Sequence, residues 1–158
     1  WYTDADFVRK MDTAAARPLT GEELERTYRN LDRNTEYYLH VHSLEDDHLL
    51  GFVTLFNIEW HNQVAQLAIA IGDPDERGHG YGTETLSLIL NYAFNELNLY
   101  KVCLDVIATN PAAIAVYQNS GFEFEGTNKR AIKRDGQRID LYHMGLFAAD
   151  FQPRVTLN

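Results

Sequence analysis

Apolar residues along the chain alternate between two spacings. Leu24, Tyr28 and Leu31 recur at i, i+4 and i+7, and Thr20 stands three residues before Glu23, as in a capping box. Residues 20–32 are therefore expected to be helical, after a first helix over residues 1–16. The period then falls to two. Tyr37, Leu39 and Val41 share one face of a strand over 37–42. A mostly apolar strand follows from Leu49 to Phe56, with Glu45-Asp46-Asp47 as the intervening turn. Val64 to Ile71 reads as another strand, with large Leu67, Ile69 and Ile71 on one face and small Ala68 and Ala70 on the other. Leu86, Ile89, Leu90, Ala93, Phe94 and Leu97 restore the helical stripe over 83–97. Val102, Leu104 and Val106 alternate within a strand over 101–107. Asn110 as N-cap, Pro111 at the first helical position and Gly121 just past the end delimit a short helix. Strands over 122–125 and 129–147 close the chain, the latter turning at Asp135-Gly136.

This order predicts an α+β fold: a mixed, mainly antiparallel sheet flanked by helices. The 158 residues suit one domain, with 148–158 as a tail. A net charge of −9 disfavours a nucleic-acid partner and suits a cationic one. No apolar run approaches the roughly 18–20 residues of a membrane span. Trp1-Tyr2-Thr3-Asp4 has no signal or transit pattern and no initiator Met, so residues are expected upstream. The single cysteine, Cys103, excludes an intramolecular disulfide and fits a reducing, cytoplasmic setting. It alternates into an apolar strand and has no positioned His partner. His40 and His42 lie at i, i+2 without a third ligand, so no metal site is expected.

The main candidate chemistry lies in Arg77-Gly78-His79-Gly80-Tyr81-Gly82, between the 64–71 strand and the long helix. Three glycines in five residues bare the backbone, and the following helix brings its positive end to the same place. The loop suits a phosphate or pyrophosphate, with Arg77 available for a bidentate contact. Neither the P-loop nor the dinucleotide spacing is present.

A second motif follows: Asn110-Pro111-Ala112-Ala113-Ile114-Ala115-Val116-Tyr117, ending at Gly121-Phe122. Together the two motifs resemble the GNAT family of N-acetyltransferases, in its ribosomal-protein and spermidine branch. Arg77, Gly80 and Gly82 meet R/Q-x-x-G-x-G/A, and the second motif meets N-x-x-A-I-x-x-Y-x-x-x-G-F at every fixed position. The resemblance implies acetyl-CoA as co-substrate. The loop amides from Gly78 through His79, Gly80, Tyr81 and Gly82 to Thr83 would hold its pyrophosphate. Backbone at Ile69, Ala70 and Ile71 would pair with pantetheine. Asn110 and Ala113 would contact the cofactor, and Tyr117 would stand near its sulfur. The family's first strand is missing ahead of Trp1. The sheet edge left open is one that another copy would cover in a homo-oligomer.

The implied reaction transfers an acetyl group to a primary amine in a ternary complex. The acceptor would be a polyamine, a protein N-terminus or lysine, or an aminoglycoside. An ammonium with a pKa near 10.4 must first lose a proton. Tyr117 is the expected acid toward the departing thiolate. Relatives often carry a glutamate where Gln66 stands, so Glu59 is the nearest candidate base, with His61 second and water a third route. A non-catalytic CoA-binding regulatory module is the alternative, and another phosphate-ligand protein a further one.

Overall fold

A computed structural model describes residues 1–153. Helices α1 (Ala5–Met11) and α2 (Gly21–Arg29) lead into strands β1 (Tyr37–His42), β2 (Leu49–Glu59) and β3 (Val64–Ile71). Helix α3 (Tyr81–Asn91), β4 (Lys101–Ile107), α4 (Pro111–Asn119), β5 (Glu123–Arg134) and β6 (Gln137–Phe147) complete the fold. The six strands form one sheet in the order β1-β2-β3-β4-β6-β5. All neighbours are antiparallel except β3 and β4, which run parallel. The expected α+β architecture is present.

Several boundaries differ from expectation, each for a local reason. The first helix stops at Met11 rather than running to residue 16. Asp12 Oδ1 accepts from the Ala14 amide, and Arg134 of β5 donates to the carbonyls of Asp12 and Ala14. These bonds compete with continued helix, and Pro18 disfavours helix at Arg17. Helix α2 has the predicted capping box but ends at Arg29, before the turn around Asp32. Helix α3 begins at Tyr81 and changes after Asn91 to a π turn over Tyr92–Glu96, where the Leu97 amide donates to the Tyr92 carbonyl. Strand β5 runs through the expected break at 126–128, absorbing it as bulges. At the start of the expected tail, Phe151 packs on Phe94 with ring centres 5.3 Å apart. Residues 154–158 lie outside the described residues.

Alternation along the strands gives the sheet two faces. Val53, Leu55, Leu67, Val102, Leu104, Val106, Met144 and Leu146 form the main core with α3 and α4. On the other face, Phe52 and Ala70 pack against Phe7 and Val8 of α1. Ile107, Ile132 and Leu141 form a third cluster.

Candidate active site

The parallel pair determines the site. Only Val64 with Lys101, Ala65 with Val102 and Gln66 with Cys103 stand in register. Beyond Gln66 the strands part, so Leu67–Ile71 keeps β2 as neighbour on one side and faces an opening on the other. A cavity of about 590 Å³ occupies this opening, lined by residues 67–71 of β3 and by Asp105, Val106 and Ile107 of β4. Ile69, Ala70 and Ile71 are thus on its wall, where an unpaired strand edge needs a partner.

The glycine loop closes one end. Gly78 and Gly80 have φ of +84° and +95°, and a Cβ at either would meet nothing within 4 Å. The left-handed backbone accounts for glycine there, and the open space leaves room for a ligand. Gly80 is the N-cap of α3 and provides no capping side chain. The first-turn amides of Tyr81, Gly82 and Thr83 therefore stand at the cavity as free donors at the positive end of the helix. His79 is not on the wall; its ring meets Tyr81 edge-on at 6.2 Å. Arg77 lines the cavity, but its Nε donates to the Ile71 carbonyl at 3.1 Å and one Nη to the Gly72 carbonyl at 2.7 Å. Its guanidinium straps the loop to the end of β3, a role the sequence reading did not foresee, and Nη1 keeps its donors for a ligand.

Helix α4 contributes Asn110, Ala113 and Tyr117. Asn110 Oδ1 accepts from the Ala113 amide at 3.3 Å, capping the helix and leaving Nδ2 as a donor. Tyr117 is 7% exposed and packs edge-on against Phe122 at 5.9 Å. Burial pushes its phenol up to about 12, which keeps it protonated and able to donate.

Glu59 is not brought to this cavity. It pairs with Val64 at the other end of β3, and its carboxylate accepts from Asn62 Nδ2 at 2.6 Å. Gln66 stands at the last registered pair and meets Asn57 Nδ2 at 3.4 Å. Sequence reasoning missed the contributions of α1, including Phe7 and Met11, and the Asp105 carboxylate on β4. Asp105 occupies a polar position of an alternating strand, ordinarily a sign of solvent. It becomes a cavity residue only because the β3–β4 ladder ends two residues earlier.

A cleft between parting parallel strands, capped by a bare-backbone helix start, has the shape and donors suited to an extended phosphorylated ligand. The family profile described as an acetyltransferase (GNAT) domain matches residues 1–123. The chain belongs to the GNAT acetyltransferase family, and it is an acetyl-CoA-dependent N-acetyltransferase. It is 32% identical over 107 residues to the Bacillus subtilis protein named "Probable N-acetyltransferase YjcK", covering 67% of this chain and 59% of that relative. It is 29% identical over 140 residues to the spermidine N(1)-acetyltransferase of Vibrio cholerae, covering 82% of this chain and 80% of the relative. The crystal structure of the Vibrio cholerae spermidine N-acetyltransferase in complex with CoA and spermine superposes with a TM-score of 0.84 at 26% identity. That match covers 94% of this chain and 86% of the other. A dodecameric structure of the Vibrio cholerae enzyme matches with a TM-score of 0.75 at 29% identity, covering 85% of this chain and 78% of the other. Among the described residues no helix is long and apolar enough to cross a membrane, and no cluster suits a metal ion.

The residues present fit acetyl-CoA. The loop leaves space where side chains would otherwise stand, the first turn of α3 offers unpaired donors for phosphate, and the open edge of β3 and Tyr117 line the same cavity.

Proposed function

We propose that the chain acetylates a cationic primary amine by direct attack within a ternary complex, with a polyamine as the first acceptor to test. The observation that carries this reading is the three-pair β3–β4 ladder. It opens onto the glycine cradle at one end and has Tyr117 on its wall. Acetyl-CoA, when bound, supplies the activated acetyl group as a thioester. The amides of Tyr81, Gly82 and Thr83 take the pyrophosphate, and Asn110 Nδ2 offers a further donor. The backbone of Ile69–Ile71 pairs with the pantetheine arm and orients the carbonyl. Tyr117 donates its proton toward the departing sulfur.

The acceptor class is supported by the net charge of −9 and by the likeness to enzymes acting on spermidine. Basic peptides and aminoglycosides share the cationic amine. Strand β1 is one of the two edge strands of the sheet and carries the exposed Leu39, which supports assembly of several copies, as in the dodecameric relative. A cytoplasmic setting fits an acetyl-CoA co-substrate and the lone Cys103, which forms no disulfide.

The test is thiol release from acetyl-CoA with spermidine, a lysine-rich peptide and an aminoglycoside in parallel. Amine-dependent release is expected, fastest with the polyamine. Acetyl-CoA binding without release by any amine would favour a binding module instead.

A further inference from the structure

We propose that Asp105, held in place by His143, docks the ammonium group of the acceptor and takes up its proton; this rests on the acetyl-transfer reading above. Asp105 stands on β4 two residues past Cys103, the last residue in register with β3. Alternation puts it on the face of Cys103 and Ile107, opposite Val102, Leu104 and Val106, which pack with α3, α4 and Tyr117. On the Asp105 face the cavity is walled by Ala68 and Ala70 and by Phe7, Met11 and Thr13. Carboxylate and phenol therefore reach the same opening from opposite faces of the sheet. Addition of an amine to an acyl carbon and loss of the thiolate from the tetrahedral intermediate need a base at the entering nitrogen and an acid at the departing sulfur, and two walls of one opening supply them.

The carboxylate is fixed for this task. Asp105 and His143 are directly paired residues of β4 and β6, and the His143 Nδ1 lies 2.5 Å from Asp105 Oδ1. An ionised carboxylate only accepts, so Nδ1 carries the hydrogen and one oxygen is taken. The second oxygen remains, on a side chain that is 41% exposed and lines the cavity. Two other carboxylates border the cavity, and neither suits the role. Asp12 lies just past the end of α1, off the two strands whose parting opens the cavity, and Glu76 stands beside Gly78 at the phosphate end. Glu59 is out of reach and Gln66 has no proton-accepting carboxylate, so Asp105 fills the position they leave vacant.

An N–H bond of the ammonium breaks and an O–H bond forms on Asp105. The freed electron pair makes the C–N bond, the C–S bond breaks, and Tyr117 protonates the sulfur. The second amine proton returns to the tyrosinate, and the proton on Asp105 leaves through the open mouth to solvent. His143 does not touch the acceptor; it is a positioning residue.

The experiment compares 1,3-diaminopropane with 2,2-difluoro-1,3-diaminopropane, whose fluorines lower amine basicity at nearly constant shape. Asp105→Asn should lower kcat/KM about 100-fold with the first amine and less than about 10-fold with the second. The Kd for acetyl-CoA should be unchanged, which also reports that the variant folds. His143→Ala should lower kcat about 10-fold, and His143→Asn, whose amide can donate to the same oxygen, should recover most of it. Equal losses on both amines, or full activity of Asp105→Asn, would overturn the assignment. Wild-type thiol release is measured first in the same assay. Its absence with every amine would sink the transfer reading and this proposal together, whereas an active wild type with an unaffected Asp105→Asn sinks only the proposal.

Discussion

Gly80→Ala separates the two things a glycine can do at the start of α3. Its φ of +95° lies in the left-handed region, where an L side chain costs about 1–2 kcal/mol. A Cβ there meets nothing within 4 Å, so no steric clash adds to that cost. At roughly 2–4 °C per kcal/mol for a chain of this size, the melting temperature should fall by about 2–8 °C. Gly136, at the tip of the β5–β6 hairpin, has φ +77° and equally open space. Gly136→Ala should therefore cost the same stability. The two variants should part company on acetyl-CoA. The open space at Gly80 belongs to the cradle, and relaxing its φ turns the following amides away from the phosphates. Losing one hydrogen bond to a charged group is worth about 1.5–3 kcal/mol, or roughly a 10- to 100-fold rise in Kd. Gly136→Ala should leave Kd unchanged. Calorimetric titration with acetyl-CoA, beside thermal melts, reads both numbers. Equal Kd values for the two variants would refute the reasoning that this loop is the phosphate cradle.

Tyr117→Phe should fold normally and lose about 100-fold in kcat while still binding acetyl-CoA, as measured by thiol release and titration. Its phenol is raised from 10.0 to about 12, so its contribution to stability is fully present below pH 10 and is lost as pH rises toward 12. The wild type should consequently lose about 2–3 kcal/mol more than the Phe variant over that range in alkaline denaturant titrations. Gly51→Ala would set a Cβ 2.0 Å from the Ala70 carbonyl oxygen, a backbone atom, so β2 and β3 must separate. A loss of about 3 kcal/mol is expected by chemical denaturation, with acetyl-CoA affinity falling as the cavity wall shifts. Acetyl-CoA at 100 times its Kd should stabilise the wild type by about 2.7 kcal/mol. Hydrogen exchange should slow at residues 67–71, and no slowing there would contradict pairing with the open edge.

Period and punctuation carry far in this chain. Tyr37–His42, Val64–Ile71 and Lys101–Ile107 form strands over the residues at which alternation begins and ends. Asn110-Pro111 and Gly121 bracket α4 because each residue type solves a specific end problem: an unpaired first amide, a missing donor and a left-handed exit. What stayed hidden depends on partners distant in sequence. Helix α1 stops short in part because Arg134, some 120 residues later, takes the carbonyls of Asp12 and Ala14. Arg77 ties the loop to the strand end, which no spacing rule signals. Glu59 is near the cavity strand in sequence but at its wrong end in space, because β2 and β3 meet there through a tight connection.

The length of a single ladder explains why the site has the form it has. A parallel pair kept in register to Ile71 and beyond would satisfy its own backbone and leave no cavity. Stopping after Gln66 and Cys103 leaves donors and acceptors unpaired on one edge of β3 in the middle of the sheet. The same divergence joins two faces that are otherwise sealed from each other. Tyr117 belongs to the core beneath α3 and α4, Asp105 to the side covered by α1, and they address one opening only because the sheet is absent between them. The small side chains of Ala68 and Ala70 follow from that geometry, since a larger residue on the α1 face would refill the gap. The proposed catalytic layout is thus a consequence of where pairing ends, with the motif residues arranged around the place where it does.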